Sequence, residues 1–294
     1  SANDAAAPTT IKLPQRLDVA DDPDRLAMST DERATLPAPT AEGPVMSILG
    51  HLNELRVHVM RAGIAILITT ALSFAFASRL LELLLTPYAQ SRPEGATLQT
   101  LRPSEGIETY FRVALLAGII LAMPIILLEL WRFIQPGLSR QERRYVYIFI
   151  PAGLLLFGLG IAFAWFVLAP AAIYFLANFM TEVFATEWTG DEYIGFITRL
   201  LLWIGLGFQM PIVIYFIARL GVVTAKTLRE QWRVAVVGIA ILAAVITPSI
   251  DPVTMLLTMA PLLVLYLLSI GLAVIGQRQF ERNAAAAGLP VSLD

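Results

Sequence analysis

Six apolar segments of near-membrane length constrain this chain more than any other feature. A transmembrane α-helix needs about 20 consecutive, mostly apolar residues to cross the hydrocarbon core of a bilayer. The segments that meet or approach this length span residues 60–78, 108–134, 145–169, 194–218, 234–249 and 253–275. They predict an all-α integral membrane protein with six transmembrane helices. The fifth segment is short, so the hairpin that it forms with the sixth either thins the bilayer or lies beside a longer helix.

The composition supports this fold class. Of the 294 residues, 57% are hydrophobic and 15% are charged, whereas soluble domains average about 45–50% and about 25%. The net charge of −2 does not favour nucleic acid as a partner. The chain contains no cysteine, which excludes disulfides and thiolate chemistry.

The chain divides into three regions by composition. Residues 1–45 carry four basic and eight acidic side chains and lack an apolar core of signal-peptide length. This composition, rich in Ala, Pro, Thr and Asp, is typical of disordered segments. We therefore expect a disordered leader over 1–45, a membrane domain over 46–276 and a cytoplasmic tail over 277–294.

Basic residues in the short loops predict the orientation, because such loops stay on the cytoplasmic side of the membrane. The loop between the second and third segments contains Arg132, Arg140, Arg143 and Arg144. The loop between the fourth and fifth segments is also basic, whereas residues 169–193 contain neither Lys nor Arg. Both termini are therefore predicted to lie in the cytoplasm.

Proline residues interrupt four of the apolar segments. Each removes a backbone donor and clashes with the preceding turn, so each tends to bend its helix. These prolines are Pro124, Pro151, Pro211 and Pro261. Several bent helices together predict a bundle with a concave wall.

Polar side chains within the apolar segments are candidate functional groups. Glu129 lies in the second segment, and Arg199 and Gln209 lie in the fourth. An ionisable group in a membrane is costly unless it is paired, hydrated or able to reach the surface. Glu129 either pairs locally with Arg132 at i+3 or contacts another helix or a substrate.

The two histidines, His51 and His58, do not favour a metal site or an enzyme. They are seven residues apart, so about 10 Å separates them along a helix, which is too far for one ion. Both precede the first segment, where neither can pair with an intramembrane serine nucleophile. We therefore predict no metal, no cofactor and no catalytic residue.

Two carboxylates on the predicted cytoplasmic side, Glu54 and Glu142, have two interpretations. Glu54 can pair with His58 at i+4 or reach Arg61, and Glu142 is followed by two arginines. Both carboxylates are then ordinary solvated charges. Alternatively, they form a receptor surface for a cationic ligand, because a carboxylate accepts two parallel hydrogen bonds from a guanidinium.

Five motifs, in this order, resemble the TatC family, the multispanning subunit of the twin-arginine protein translocase. They are "HLNELRVHVMR" at 51–61, "LTPY" at 85–88, "MPIILLELWRFIQPGLSRQERR" at 123–144, "GFQMPI" at 207–212 and "ITPSIDPVTM" at 246–255. The resemblance covers about residues 46–276. The resemblance implies six spans with both termini inside, in a bacterial or archaeal cytoplasmic membrane.

The resemblance also implies a function and site residues. The protein is expected to bind twin-arginine signal peptides of folded precursors at its cytoplasmic face. It is expected to assemble with TatA-like and TatB-like single-span subunits, and with further copies in a larger complex, for export driven by the proton gradient. The signal-peptide surface would comprise Glu54, Arg56, Phe133, Pro136, Leu138, Glu142 and Arg143. Intramembrane polar or partner contacts would involve Glu129, Gln209, Thr247 and Asp251, and Pro87 would stabilise the external cap.

Two positions, Gln209 and Met255, depart from the family pattern. Gln209 stands where the family often has glutamate, and Glu129 stands where some members have glutamine, so the second span is expected to supply the acid instead. Met255 replaces a glutamine that some relatives carry. The competing hypothesis is a secondary transporter for small molecules or ions, with a midplane site formed by Glu129, Arg199 and Gln209.

Overall fold

The apolar segments form helices in the computed structural model, which describes residues 48–91, 98–135, 143–179, 188–247 and 252–286. The chain divides into residues 1–49 and 50–294, and the packing described below belongs to the second unit. The helices of the described residues are α1 (Ile48–Ser73), α2 (Ala77–Ser91), α3 (Glu105–Ile134), α4 (Arg143–Phe163), α5 (Ala169–Asn178), α6 (Gly190–Gly207), α7 (Met210–Arg219), α8 (Ala225–Glu230), α9 (Trp232–Ile246) and α10 (Pro252–Ala286).

The described residues contain five helical stretches long and apolar enough to cross a membrane. These are Asn53–Ser91, Glu105–Ile134, Tyr147–Asn178, Gly190–Arg219 and Pro252–Arg282, and α9 is a shorter apolar helix. The prediction of an all-α membrane protein is confirmed. Many large apolar side chains on these helices face outward, Leu67 and Phe166 among them, as expected for surfaces that contact lipid.

Three of the helical stretches are interrupted by a turn of another kind or by a short break. A short 3₁₀ turn, Phe74–Phe76, joins α1 to α2, and a π-helical turn, Ala164–Leu168, joins α4 to α5. The α6–α7 stretch breaks at Phe208 and Gln209, directly before Pro211 in the first turn of α7. Proline there starts a helix without losing a hydrogen bond.

Helix α6 lies at the centre of the packing. It contacts α3 and α4, and α10 packs along α7. Tyr193, Phe196, Ile197 and Ile204 are completely buried on α6. The Tyr193 hydroxyl donates to the Leu84 carbonyl oxygen at 2.8 Å, which satisfies the one polar atom of this side chain. The start of α6 also holds the start of α3, since the Asp191 N–H donates to the Glu105 carboxylate.

Helix α1 approaches α3 closely through a glycine. A Cβ atom on Gly118 would lie 2.2 Å from Thr70 Oγ1 and 2.6 Å from Thr70 Cα. The Thr69 hydroxyl donates to the Gly118 carbonyl oxygen at 2.7 Å. Small residues allow such backbone approach in membranes, where van der Waals packing joins helices.

Candidate functional site

The C-terminal end of α3 contains a buried carboxylate surrounded by one histidine and two arginine side chains. Glu129 is 5% exposed. Its Oε2 lies 2.7 Å from His58 Nδ1 and 3.7 Å from Arg61 Nη1, both on α1. Its Oε1 accepts a hydrogen bond from Arg132 Nη1 at 2.9 Å. The pairing with Arg132 at i+3 is therefore present, together with the contact to another helix that was its alternative.

Aromatic packing holds this end of α3. The Trp131 ring stacks on Phe149 of α4 at 4.9 Å and contacts Phe216 of α7 edge to face at 4.6 Å. The His58 ring meets Phe133 edge to face at 6.1 Å. Because Trp131 is fixed on one face of α3, Glu129 and Phe133 on another face are directed at α1.

The predicted signal-peptide surface is described in part. Glu54 is half-buried on α1, one turn before His58, and Arg56 is exposed. Phe133 is half-buried in the last turn of α3. Residues Pro136, Leu138 and Glu142 lie outside the described residues, as does the side chain of Arg143, the first residue of α4. The structure therefore brings α1 and the end of α3 together, the two segments that supply Glu54 and Phe133.

The residues predicted for intramembrane contacts have separate environments. Gln209 is 9% exposed, and its Nε2 donates to the Gly153 carbonyl oxygen at 3.0 Å. Thr247 is buried at the end of α9, where its hydroxyl donates to the Ala243 carbonyl oxygen at 3.1 Å. Asp251 lies outside the described residues, and Pro87 is buried within α2.

The opposite end of α3 contains a second buried carboxylate that sequence reasoning missed. Glu105 is 1% exposed. Its Oε1 accepts from the Asp191 backbone N–H at 2.8 Å, and its Oε2 accepts from the N–H groups of Leu101 at 2.9 Å and Arg102 at 3.4 Å. Glu105 lies in the first turn of α3 and beside the first turn of α6. The positive ends of the two helix dipoles stabilise a carboxylate there. An acidic residue at the start of a helix was the signal in the sequence that could have identified Glu105.

The N-terminus of α6 is closed by a capping box. Thr189 Oγ1 accepts from the Glu192 N–H at 3.1 Å, and the Glu192 carboxylate accepts from the Thr189 N–H at 3.4 Å. Gln99 pairs with this turn, since its N–H donates to the Trp188 carbonyl and its carbonyl accepts from Gly190. The start of α6 is thereby fixed against the segment before α3.

The role of His58 was also missed. Its spacing from Glu54 suggested a local pair, but the described contact of its Nδ1 is with Glu129, 71 positions away. The first segment offered only one signal: residues 54, 58 and 61 share a helical face that continues into an apolar span. Within the described residues, no group of three His, Asp or Glu side chains is arranged to hold a metal ion.

The three residues of the transporter hypothesis do not form one site. Glu129 lies near the end of α3, whereas Arg199 lines a groove near the start of α6. The starts of α3 and α6 lie side by side, because Glu105 accepts a hydrogen bond from Asp191. Counted from these starts, Glu129 lies about 20 Å further along the bundle than Arg199. Gln209 contacts α4 instead. This separation does not support a shared midplane site.

Comparisons with known proteins agree with the five motifs. The family model described as "Sec-independent protein translocase protein (TatC)" matches residues 50–261. The protein of this name from Aquifex aeolicus is 36% identical over 236 residues, covering 80% of this chain and 97% of that protein. The crystal structure of a twin-arginine translocase receptor, TatC, is similar with a TM-score of 0.72 and 36% identity, covering 78% of this chain and 100% of that one.

Chloroplast proteins are similar as well. The Sec-independent protein translocase protein TATC of Arabidopsis thaliana is 37% identical over 222 residues, which is 76% of this chain. The match spans 64% of the Arabidopsis protein, so the chain corresponds to just under two thirds of that relative.

Proposed function

We propose that this chain, which belongs to the TatC family of Sec-independent protein translocase proteins, is a receptor that binds twin-arginine signal peptides of folded precursors. The observation that carries the proposal is the junction of α1 with the end of α3. His58 contacts both Glu129 and Phe133 there, and Glu54 lies one turn away on α1. The described parts of two of the motifs, over 51–61 and 123–135, thus meet at this junction.

The charges at this junction direct a cationic peptide toward Glu54. Glu129 is buried, contacts His58 and lies against Arg61 and Arg132, so its charge is already compensated and it is poorly accessible to a ligand. Glu54 is half-buried in the second turn of α1, which leaves it more exposed than Glu129. We propose that Glu54 and Glu142 accept the two guanidiniums through paired, charge-assisted hydrogen bonds. Phe133, Pro136 and Leu138 would pack against the peptide, and Arg56 and Arg143 would border it.

We further propose six spans with both termini cytoplasmic, with α9 as the fifth span of a bacterial or archaeal cytoplasmic membrane protein. The short α9 is about 22 Å long, less than the hydrocarbon core, and favours local thinning of the bilayer. Pro87 would stabilise the external cap. The protein acts as a receptor rather than an enzyme, and the proton gradient drives export.

Single-span TatA-like and TatB-like subunits would dock on the intramembrane polar groups. Gln209 would be one such contact, because its Oε1 accepts no hydrogen bond from the described residues, and a donor would reach this buried atom only when the packing around it opens. An unsatisfied acceptor in a membrane favours a partner that donates to it. Thr247 and Asp251 would contribute near the α9–α10 turn, with further copies of the chain completing a larger complex.

Crosslinking tests the receptor assignment. A photoreactive twin-arginine signal peptide is added to membranes containing the full chain, Glu54→Gln, Glu142→Gln or both. We expect each single substitution to reduce crosslinking about tenfold, because a charge-assisted bidentate contact is lost. A twin-lysine peptide should crosslink weakly to the unchanged chain, since lysine cannot bind a carboxylate bidentately.

Glu230→Gln is the matched control, because Glu230 is exposed on α8 and outside the proposed surface. It should leave crosslinking unchanged. Equal crosslinking of the unchanged chain and the double variant, with no preference for arginine over lysine, would refute the receptor assignment at these carboxylates.

A further inference from the structure

A groove between α3 and α6 lies at the opposite end of α3 from the proposed peptide surface. It has a volume of about 370 Å³, with the charged residues Arg112, Arg199, Asp191 and Glu192 in its lining. Apolar side chains, including Leu115, Ile119 and Leu202, form the rest of the wall. The groove is therefore amphipathic, and it opens from helices that are long and apolar enough to span a membrane.

The two arginine side chains converge on Gly195. Arg199 Nε donates to the Gly195 carbonyl oxygen at 2.9 Å, so the side chain folds back one turn toward the start of α6. A Cβ atom on Gly195 would lie 2.7 Å from Arg112 Nη1 and 3.8 Å from Arg199 Nη2. The missing side chain at position 195 makes room for both guanidiniums.

Helix length gives the depth that we expect for these guanidiniums in a bilayer. The α6–α7 stretch has 30 residues. It is therefore about 45 Å long, which equals the full bilayer with its headgroups, whereas the hydrocarbon core is about 30 Å thick. Gly195 lies about 7 Å from the start of α6, which is the boundary between hydrocarbon and headgroups. Two guanidiniums at this depth are well placed for a lipid phosphate.

The charges are ordered along the groove. Arg112 pairs with Asp191 at 2.6 Å, and Asp191 also lies 3.2 Å from Arg102. Across the described residues no carboxylate lies within 4.0 Å of the Arg199 guanidinium. Glu192 is exposed in the first turn of α6, further from the bilayer centre than Gly195. Acid thus lies outermost, the arginines lie below it, and apolar side chains are deepest.

From this order we infer that the groove binds a membrane phospholipid with an amine-bearing headgroup. The phosphate is held between Arg112 and Arg199, the ammonium faces Glu192, and an acyl chain follows Leu115 and Ile119. Guanidiniums bind phosphate through charge-assisted hydrogen bonds, and a guanidinium in a membrane without a carboxylate beside it, such as that of Arg199, favours such a ligand. Because Asp191 is paired with Arg102 and Arg112, Glu192 is the outer carboxylate that favours a headgroup with an amine over one without it. This inference is independent of the proposed signal-peptide site.

Lipid retention tests the inference. The full chain is purified in detergent, equilibrated with equal amounts of phosphatidylethanolamine, phosphatidylcholine and phosphatidylglycerol, and analysed by native mass spectrometry. We expect phosphatidylethanolamine to be retained preferentially. Arg199→Gln should lower its retention about tenfold, the loss expected for a hydrogen bond to a charged group.

Two further variants separate the headgroup contacts from folding. Glu192→Gln preserves the capping box, because glutamine also serves at this position, and should reduce phosphatidylethanolamine to the level of phosphatidylcholine. Arg79→Gln, an exposed arginine on α2 outside the groove, should retain lipid normally. If Arg199→Gln does not fold, the Glu192→Gln result decides. Unchanged retention in both groove variants, or preferred retention of phosphatidylglycerol, would overturn the inference.

Discussion

The two ends of α3 each bury a glutamate, but they satisfy it in different ways. Glu105 receives hydrogen bonds from three backbone N–H groups. Glu129 is contacted by the side chains of His58, Arg61 and Arg132, two of which are more than half exposed. A buried carboxylate needs compensation in either case, because its removal from water is costly.

The two ends of α3 differ in whether the groups that contact the carboxylate can move. Backbone donors are fixed by the helices and turns that contain them, so Glu105 joins the start of α3 to the start of α6 rigidly. Arginine side chains have many rotamers and can change partners without unfolding a helix. The Glu105 end is therefore suited to a fixed scaffold, and the Glu129 end to a surface that adjusts when a ligand binds.

Removing the Glu105 carboxylate should have the largest effect on stability. Glu105→Ala leaves three N–H groups without their acceptor, and each buried unsatisfied group costs about 1–3 kcal/mol, so we expect a loss of about 3–5 kcal/mol. Thermal unfolding of the purified chain in detergent measures it. Glu108→Ala, an exposed glutamate one turn later that accepts from Ser104, should cost less than about 1 kcal/mol. Equal effects of the two substitutions would remove the distinction between the ends.

Gly118→Ala tests whether α1 can be loosened independently of the Glu105 end. The added methyl group meets the Thr70 backbone, so we expect about 2 kcal/mol of destabilisation by overpacking. Hydrogen exchange should accelerate in α1 and remain unchanged at the start of α6. Gly63→Ala, where an added Cβ meets nothing within 4 Å, is the control. Faster exchange at both ends would show that the ends are coupled.

Glu129→Gln should destabilise the chain less than Glu105→Ala does. Glutamine keeps an acceptor for His58 or Arg132, and the two arginines are exposed enough to be hydrated, so we expect a loss of about 1 kcal/mol. Thermal unfolding again provides the measurement, with Glu281→Gln as a control at a half-buried position on α10. A loss as large as that of Glu105→Ala would mean that the side-chain cluster is as rigid as the backbone one.

An equally small effect is expected from the cap of α6. Thr189→Ala removes the acceptor for the Glu192 N–H, and loss of such a cap costs about 1 kcal/mol. Thr189→Ser keeps the hydroxyl and should unfold at nearly the same temperature as the unchanged chain. If Thr189→Ala also shows no change, the capping box adds nothing to the backbone donors around Glu105.

The sequence predicted the membrane-spanning segments that a bilayer requires. It did not predict the polar contacts between different helices. Apolar length located the membrane segments because every backbone polar group in lipid requires a helix. It did not predict that α2 continues the first helix, because Arg79 and Glu82 interrupt the apolar run. The bend expected at Pro211 became a break two residues earlier, at Gln209.

In the candidate site, only the motif residues and the contacts between residues close in sequence could be predicted. The motifs identified Glu54 and Phe133, and the spacing identified the pair of Glu129 with Arg132. His58 and Glu129 are too far apart in sequence for spacing to join them, and Glu105 needed the position of α6 as well. Contacts of this kind become visible only when the packing of the helices is known.

The π-helical turn at Ala164–Leu168 determines in which direction the side chains of α5 point relative to those of α4. Such a turn contains one residue more than the α-helix around it. Helix α4 packs on α6 before the turn, and α5 packs on α2 after it, with Ala172 and Ile173 buried. Deleting a single residue here would rotate α5 by about 100° relative to α4. An insertion or deletion in this stretch would therefore change the direction of the α5 side chains as well as the length of the helix. The packing of α4 and α5 restricts both changes.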